Sequence, residues 1–141
     1  MVQPGTTLVV QVGSVQGPPG PPGPPSVISG VNNLLAGENI PAGRFVYSAI
    51  DGKIYIADSS NVAHIGKVIG VTSSAVLANS LVNVITSGTA SISGLIEGLT
   101  YFLSLGGGLT YIPPTVGFVQ KVGVSVDTGT LDVILGPPVK V

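Results

Sequence analysis

Apolar positions along this chain come in short runs, and each run ends at Gly, Asn, Asp or Pro. From Ser26 onward the runs are rich in Val, Ile, Thr and Tyr, which suit a half-buried pleated surface. Arg44–Ala49 and Lys53–Ala57 flank Ile50-Asp51-Gly52, and an Asp-Gly pair between two such runs marks a hairpin. Further strands are predicted over Lys67–Thr72, Leu81–Thr86, Thr89–Ser93, Thr100–Leu105, Leu109–Ile112, Gly117–Val126 and Thr130–Leu135. Gly106-Gly107-Gly108 and Asp127-Thr128-Gly129 read as turns between neighbours. No stretch carries the caps and period of an amphipathic helix; Val31–Leu35 and Leu77–Leu81 are assigned at most a turn. Strand signals at a spacing of roughly ten residues predict an all-β head, an antiparallel sandwich or barrel.

Several of these strands are apolar almost throughout, as in Val68-Ile69-Gly70-Val71 and Val133-Ile134-Leu135. A strand with one face in water would alternate. Burial of the second face against a neighbouring subunit is therefore expected.

Ahead of this region the pattern changes twice. Residues 1–16, MVQPGTTLVVQVGSVQ, hold one β-type run: Thr6, Thr7, Leu8, Val9, Val10, Gln11 and Val12, bounded by Pro4-Gly5 and Gly13. A lone strand cannot satisfy its own backbone groups, so this segment reads either as an anchor that pairs with another chain or as a frayed terminus. Residues 17–25 are three unbroken triplets: Gly17, Pro18, Pro19, Gly20, Pro21, Pro22, Gly23, Pro24 and Pro25. Gly at every third place with Pro between fits a collagen triple helix, in which only Gly fits at the crowded axis. The competing readings are a stiff polyproline spacer or a ligand for a proline-binding groove. Neither needs the Gly period. The run would reach roughly 28 Å as a stalk, and 26–141 follows as the β head.

Composition sharpens the picture. Charged residues make up 8% of the 141, against about 25% in an average soluble protein. So few charges leave apolar patches, which mark association surfaces; with the triplets this predicts a homotrimer. A net charge of −1 offers no footprint for nucleic acid or an anionic membrane surface. There is no cysteine, so disulfides and thiolate metal sites are excluded. The opening residues lack a basic leader, and their apolar run is too short for a membrane span.

Candidate chemistry is sparse. His64, the single histidine, has no Gly-x-Ser-x-Gly elbow and no Cys to work with, so a hydrogen-bonded core or interface role is expected. As a metal ligand it would need copies of itself from other chains. The carboxylates Glu38, Asp51, Asp58, Glu97, Asp127 and Asp132 could supply a glycosidase pair. However, Asp51, Asp58 and Asp127 fall in predicted turns, where Asp binds its own backbone. Gly106-Gly107-Gly108 is followed by neither a helix nor Lys-Ser/Thr, so it is no phosphate loop. The reading is of a non-enzymatic protein without catalytic residues, metal or cofactor.

One longer pattern resembles a known family. Leu35-Ala36-Gly37-Glu38-Asn39-Ile40-Pro41-Ala42-Gly43 leads into Arg44-Phe45-Val46-Tyr47, then Asp51-Gly52-Lys53 and Ile54-Tyr55-Ile56-Ala57. Together with Ile65–Val71, Thr86–Thr89, Gly98–Leu103, Val122–Ser125 and Leu135–Pro138, this looks like a β module of tailed-phage virion proteins. The resemblance spans about residues 35–138. It implies a homotrimer with its N-terminus fixed to the particle, a collagen-like stalk and outward β heads. A near-absent shaft favours a capsid decoration or head-fibre protein on the outer capsid surface, bound to the major capsid protein through Thr6–Val12. The alternatives are a tail-fibre or host-surface glycan adhesin, and a polysaccharide-degrading tail protein.

Overall fold

The computed structural model describes residues 30–141; the anchor run Thr6–Val12 and the triplets Gly17–Pro25 lie outside the described residues. The described chain is all-β. Its strands are β1 (Val31–Leu35), β2 (Phe45–Ser48), β3 (Ile54–Ile56), β4 (Val68–Thr72), β5 (Leu81–Ile85), β6 (Gly88–Ser91), β7 (Thr100–Leu103), β8 (Leu109–Thr110), β9 (Phe118–Val119), β10 (Lys121–Asp127), β11 (Thr130–Val133) and β12 (Val139–Lys140). They form two five-stranded antiparallel sheets, ordered β1-β5-β4-β2-β3 and β6-β11-β10-β7-β8, with β9 and β12 as a small third sheet.

The first sheet curls back on itself. Ala36, just after β1, bridges Ile54 of β3, with the Gly37 N–H donating to the Ile54 carbonyl at 2.9 Å. Inside the curl lie Ala36, Val46, Ile54, Val82 and Val84, with Ile40 and Val76 bridging across one end. The outer face of β2 and β4 packs on the second sheet. There Phe45, Val68 and Val71 share a core with Ala90, Tyr101, Leu103, Val122, Leu131 and Val133. Neighbouring residues of β2, Phe45 and Val46, thus point into different clusters, as a period of two dictates.

This packing corrects one expectation. Val68 and Val71 face the shared core while Ile69 faces the inside of the curl, so β4 is buried on both faces by its own chain. No neighbouring subunit is needed there. After β11 the apolar run does reach the surface, because Ile134 is 47% exposed.

The three predicted turns join β2 to β3, β7 to β8 and β10 to β11. Two turn aspartates accept a backbone N–H two residues on, Asp51 from Lys53 at 2.9 Å and Asp127 from Gly129 at 2.8 Å. At the β7–β8 turn Gly107 has φ +73, and a Cβ there would press on the Phe45 carbonyl at 2.7 Å. Several strand limits differ from the sequence expectation. Gly117–Val126 splits at Gln120, so that β9 pairs with β12 while β10 pairs with β7 and β11. Val31–Leu35, expected to hold a turn at most, is a strand with five register pairs to β5.

Candidate functional site

The segment after β3 builds the one histidine setting. Asp58 accepts the Ser60 N–H at 2.8 Å, and Asn61 caps a 3₁₀ turn over Val62–His64 by accepting the Ala63 N–H at 3.0 Å. The turn directs His64 inward, where it is buried and stacked on Tyr47 at 3.8 Å between ring centroids. His64 Nδ1 accepts the Asp58 N–H at 3.0 Å. The neutral ring then carries its proton on Nε2, and the Asn61 Nδ2 that lies 3.3 Å away is itself a donor, so that contact is not a hydrogen bond. Burial holds the His64 pKa below its ordinary value, with Lys67 acting in the same direction and Asp58 opposing. The lone pair that a general base would offer to a substrate is already spent on the backbone. His64 is therefore buried and held to the backbone through Nδ1.

Asp51, Asp58 and Glu38 are spent in the same way. Asp58 is pushed up by burial, but hydrogen bonds from the Ser60 hydroxyl, the Ser60 N–H and the Gly106 N–H outweigh this and lower its pKa. Asp51 is lowered by the Tyr55 hydroxyl at 2.6 Å and by the Lys53 N–H. Glu38 accepts the Ile56 N–H at 2.8 Å. Each tie holds one segment to another: Asp58 links the post-β3 segment to the β7–β8 turn, and Glu38 links the β1–β2 connection to β3. Among the described residues, no three His, Cys, Asp or Glu side chains gather as a metal site.

What the described surface does offer is contact area poor in charge in three places. A cleft of about 550 Å³ opens between the two sheets, lined by Arg44, Tyr101, Leu109 and the Ser91–Leu95 turn. A shallower groove lies beside Leu105, Ile112, Pro113 and Val116, each exposed to solvent. The third place is the outer face of β1 and β5. Sequence reasoning missed this last surface because Asn32 and Asn33 interrupt the apolar pattern of β1. Leu81, which heads a predicted strand, was the signal that could have found it. The sequence-predicted anchor and stalk residues cannot be placed against any of these surfaces, since they lie outside the described residues.

No protein-family model matches the chain, and no curated protein sequence matches it significantly.

Proposed function

We propose that this is a non-enzymatic structural protein of a phage virion: a homotrimeric capsid decoration or head-fibre protein. Residues 1–16 hold it to the major capsid protein, Gly17–Pro25 align three chains as a short triple helix, and the β unit stands outward. The observation that carries this reading is the unbroken Gly-Pro-Pro run directly ahead of an all-β unit that is poor in charge. A plain spacer has no use for Gly at every third position, whereas three chains around one axis do. Linking three feet through one stalk would make weak individual contacts effective, because the second and third contacts form at high local concentration. The virion setting rests on the resemblance of the motifs quoted above to a β module of tailed-phage proteins.

The test is a binding assay on purified particles of the encoding phage, with cryo-electron microscopy of the decorated shell. The full chain should add trimeric density to the capsid. A chain lacking residues 1–16 should stay trimeric in sedimentation and fail to bind. Particles that bind this truncated trimer as well as the intact one would refute the anchor assignment.

The second reading, a glycan adhesin, draws on the inter-sheet cleft, where Arg44 stands near Tyr101 and the hydroxyls of Ser91 and Ser93. Glycan-array binding that Arg44→Ala abolishes would move the assignment to a host-surface adhesin.

A further inference from the structure

The first sheet leaves part of its outer face bare. The second sheet covers it over β2 and β4, where Phe45, Tyr47, Val68 and Val71 join the shared core. Over β1 and most of β5 nothing in the described chain lies on it. Register sets Val31, Asn33 and Leu35 opposite Ile85, Asn83 and Leu81 on this face. Leu81 is 63% exposed and Val31 48% exposed. Between them Asn33 Nδ2 donates to Asn83 Oδ1 at 2.9 Å, so the amides in the strip are partly satisfied by each other. None of these residues is charged. β1 is also an edge strand, and along Val31–Leu35 it pairs only with β5 among the described residues.

The chain ahead of β1 limits what can reach this strip. Only Ser26–Ser29 separate the last triplet from Gly30. At roughly 3.3–3.6 Å per residue, Gly30 lies at most about 18 Å from Pro25. In a triple helix the three Pro25 residues stand together around one axis. A folded unit of this size has a radius of about 17 Å. Three such units in mutual contact around an axis have their centres about 20 Å from it. A tether of about 18 Å then holds Gly30, and β1 directly behind it, on the half of each unit that faces the axis. The nearest surfaces available to cover the strip belong to the other two copies.

We infer that the strip formed by Val31, Asn33, Leu35, Leu81 and Asn83 is a contact between copies of this chain, packed around the stalk axis. The inference rests on the trimer reading above and adds to it the face that the trimer buries. It also gives the edge of β1 a covered position, which an edge strand otherwise needs charge or Pro to achieve.

The experiment uses the full chain and sedimentation across a range of concentrations. Leu81→Glu and Val31→Glu each place a carboxylate in the strip, and Val116→Glu places one in the groove beside Ile112. Because Leu81 and Val31 are exposed in the single chain, circular dichroism of the variants should match wild type. If one of the two misfolds, the other decides. The expected result is at least a tenfold rise in the concentration needed for trimer with the strip variants, and none with Val116→Glu. Unchanged trimer in folded Leu81→Glu and Val31→Glu would overturn the inference and leave the trimer reading standing. Equal loss in all three variants would also overturn it. A wild-type chain that sediments as a monomer would overturn the trimer reading, and the inference with it.

Discussion

At the residue scale, polar side chains here hold segments of backbone in place, and their titration becomes a stability statement. His64 has a folded pKa below its ordinary 6.5. On acidification the unfolded chain therefore takes up the proton first. The His64 contribution is complete above about pH 6.5 and is lost as pH falls through the lower folded value. Protonation also places a hydrogen on Nδ1 against the Asp58 N–H, which breaks the bond that fixes the segment. Asp51 and Asp58, lowered from 3.8, act in the same direction in a second window that begins near pH 3.8 and extends below it. Thermal melts should show a falling midpoint between pH 7.5 and 5. His64→Gln should melt lower than wild type at pH 7.5 and show a smaller fall across that interval. A wild-type midpoint that is flat over this range would rule out the His64 account.

Gly117 gives a second prediction at this scale. Its φ is +82, and an added Cβ would overlap the Ser59 carbonyl, which accepts the Phe118 N–H at 2.9 Å. Gly117→Ala combines left-handed strain with a backbone clash and should cost about 2 kcal/mol or more in denaturant unfolding. Gly52, also at positive φ but in open space, should cost only about 1 kcal/mol on the same change. Roles of this kind were partly legible beforehand. Turn aspartates announce themselves because Asp beside Gly serves one local purpose. The inward turn of His64 depends on Tyr47, which is distant in sequence, and could not be read from its neighbours.

Among the elements, the strands that the sequence marked well are those whose apolar residues meet a core. β2, β3, β4, β5, β7 and β11 were all visible, within a residue or two of their observed ends. β1 was not, because its partner β5 supplies its pairing and Asn32 and Asn33 interrupt its apolar pattern, Asn33 bonding Asn83 of β5. The split at Gln120 was equally hidden. It depends on which strand each backbone edge finds, with Gln120 itself buried and donating to the Gly136 carbonyl at 3.0 Å. The alternation along β2 has an energetic consequence, since adjacent residues there tie two clusters into one cooperative unit. Ile54→Ala inside the curled sheet and Leu131→Ala in the shared core should each cost about 2–5 kcal/mol. Both should lower a single unfolding transition rather than one of two. Fluorescence and far-UV dichroism followed together through denaturant should give coincident curves; separate midpoints would mean that the two sheets unfold independently.

For the whole molecule, the low charge that was plain in the sequence is resolved into particular surfaces. Much of the apolar content is consumed within the chain, which removes the need for a partner over β4. What remains uncovered is spread over several surfaces, among them the β1–β5 strip with Val31 and Leu81 and the groove beside Ile112 and Val116. The proposed stalk then has a quantitative role that a substitution can expose. Three triplets are too short to hold three chains alone, so stalk and β units must reinforce each other: each raises the local concentration at which the other associates. Gly20 is the central glycine of the run, and Gly20→Ala puts a methyl group where only hydrogen fits at a triple-helix axis. The variant should need more protein to form trimer and lose assembly at a lower temperature, while the β unit keeps its own melting transition. Pro21→Ala changes the chain at the adjacent position without placing a side chain on the axis, so its effect should be smaller. Sedimentation equilibrium on both variants separates the cases. Equal behaviour of Gly20→Ala and Pro21→Ala would point to a single-chain spacer, because in that case no axis exists for the glycine to occupy.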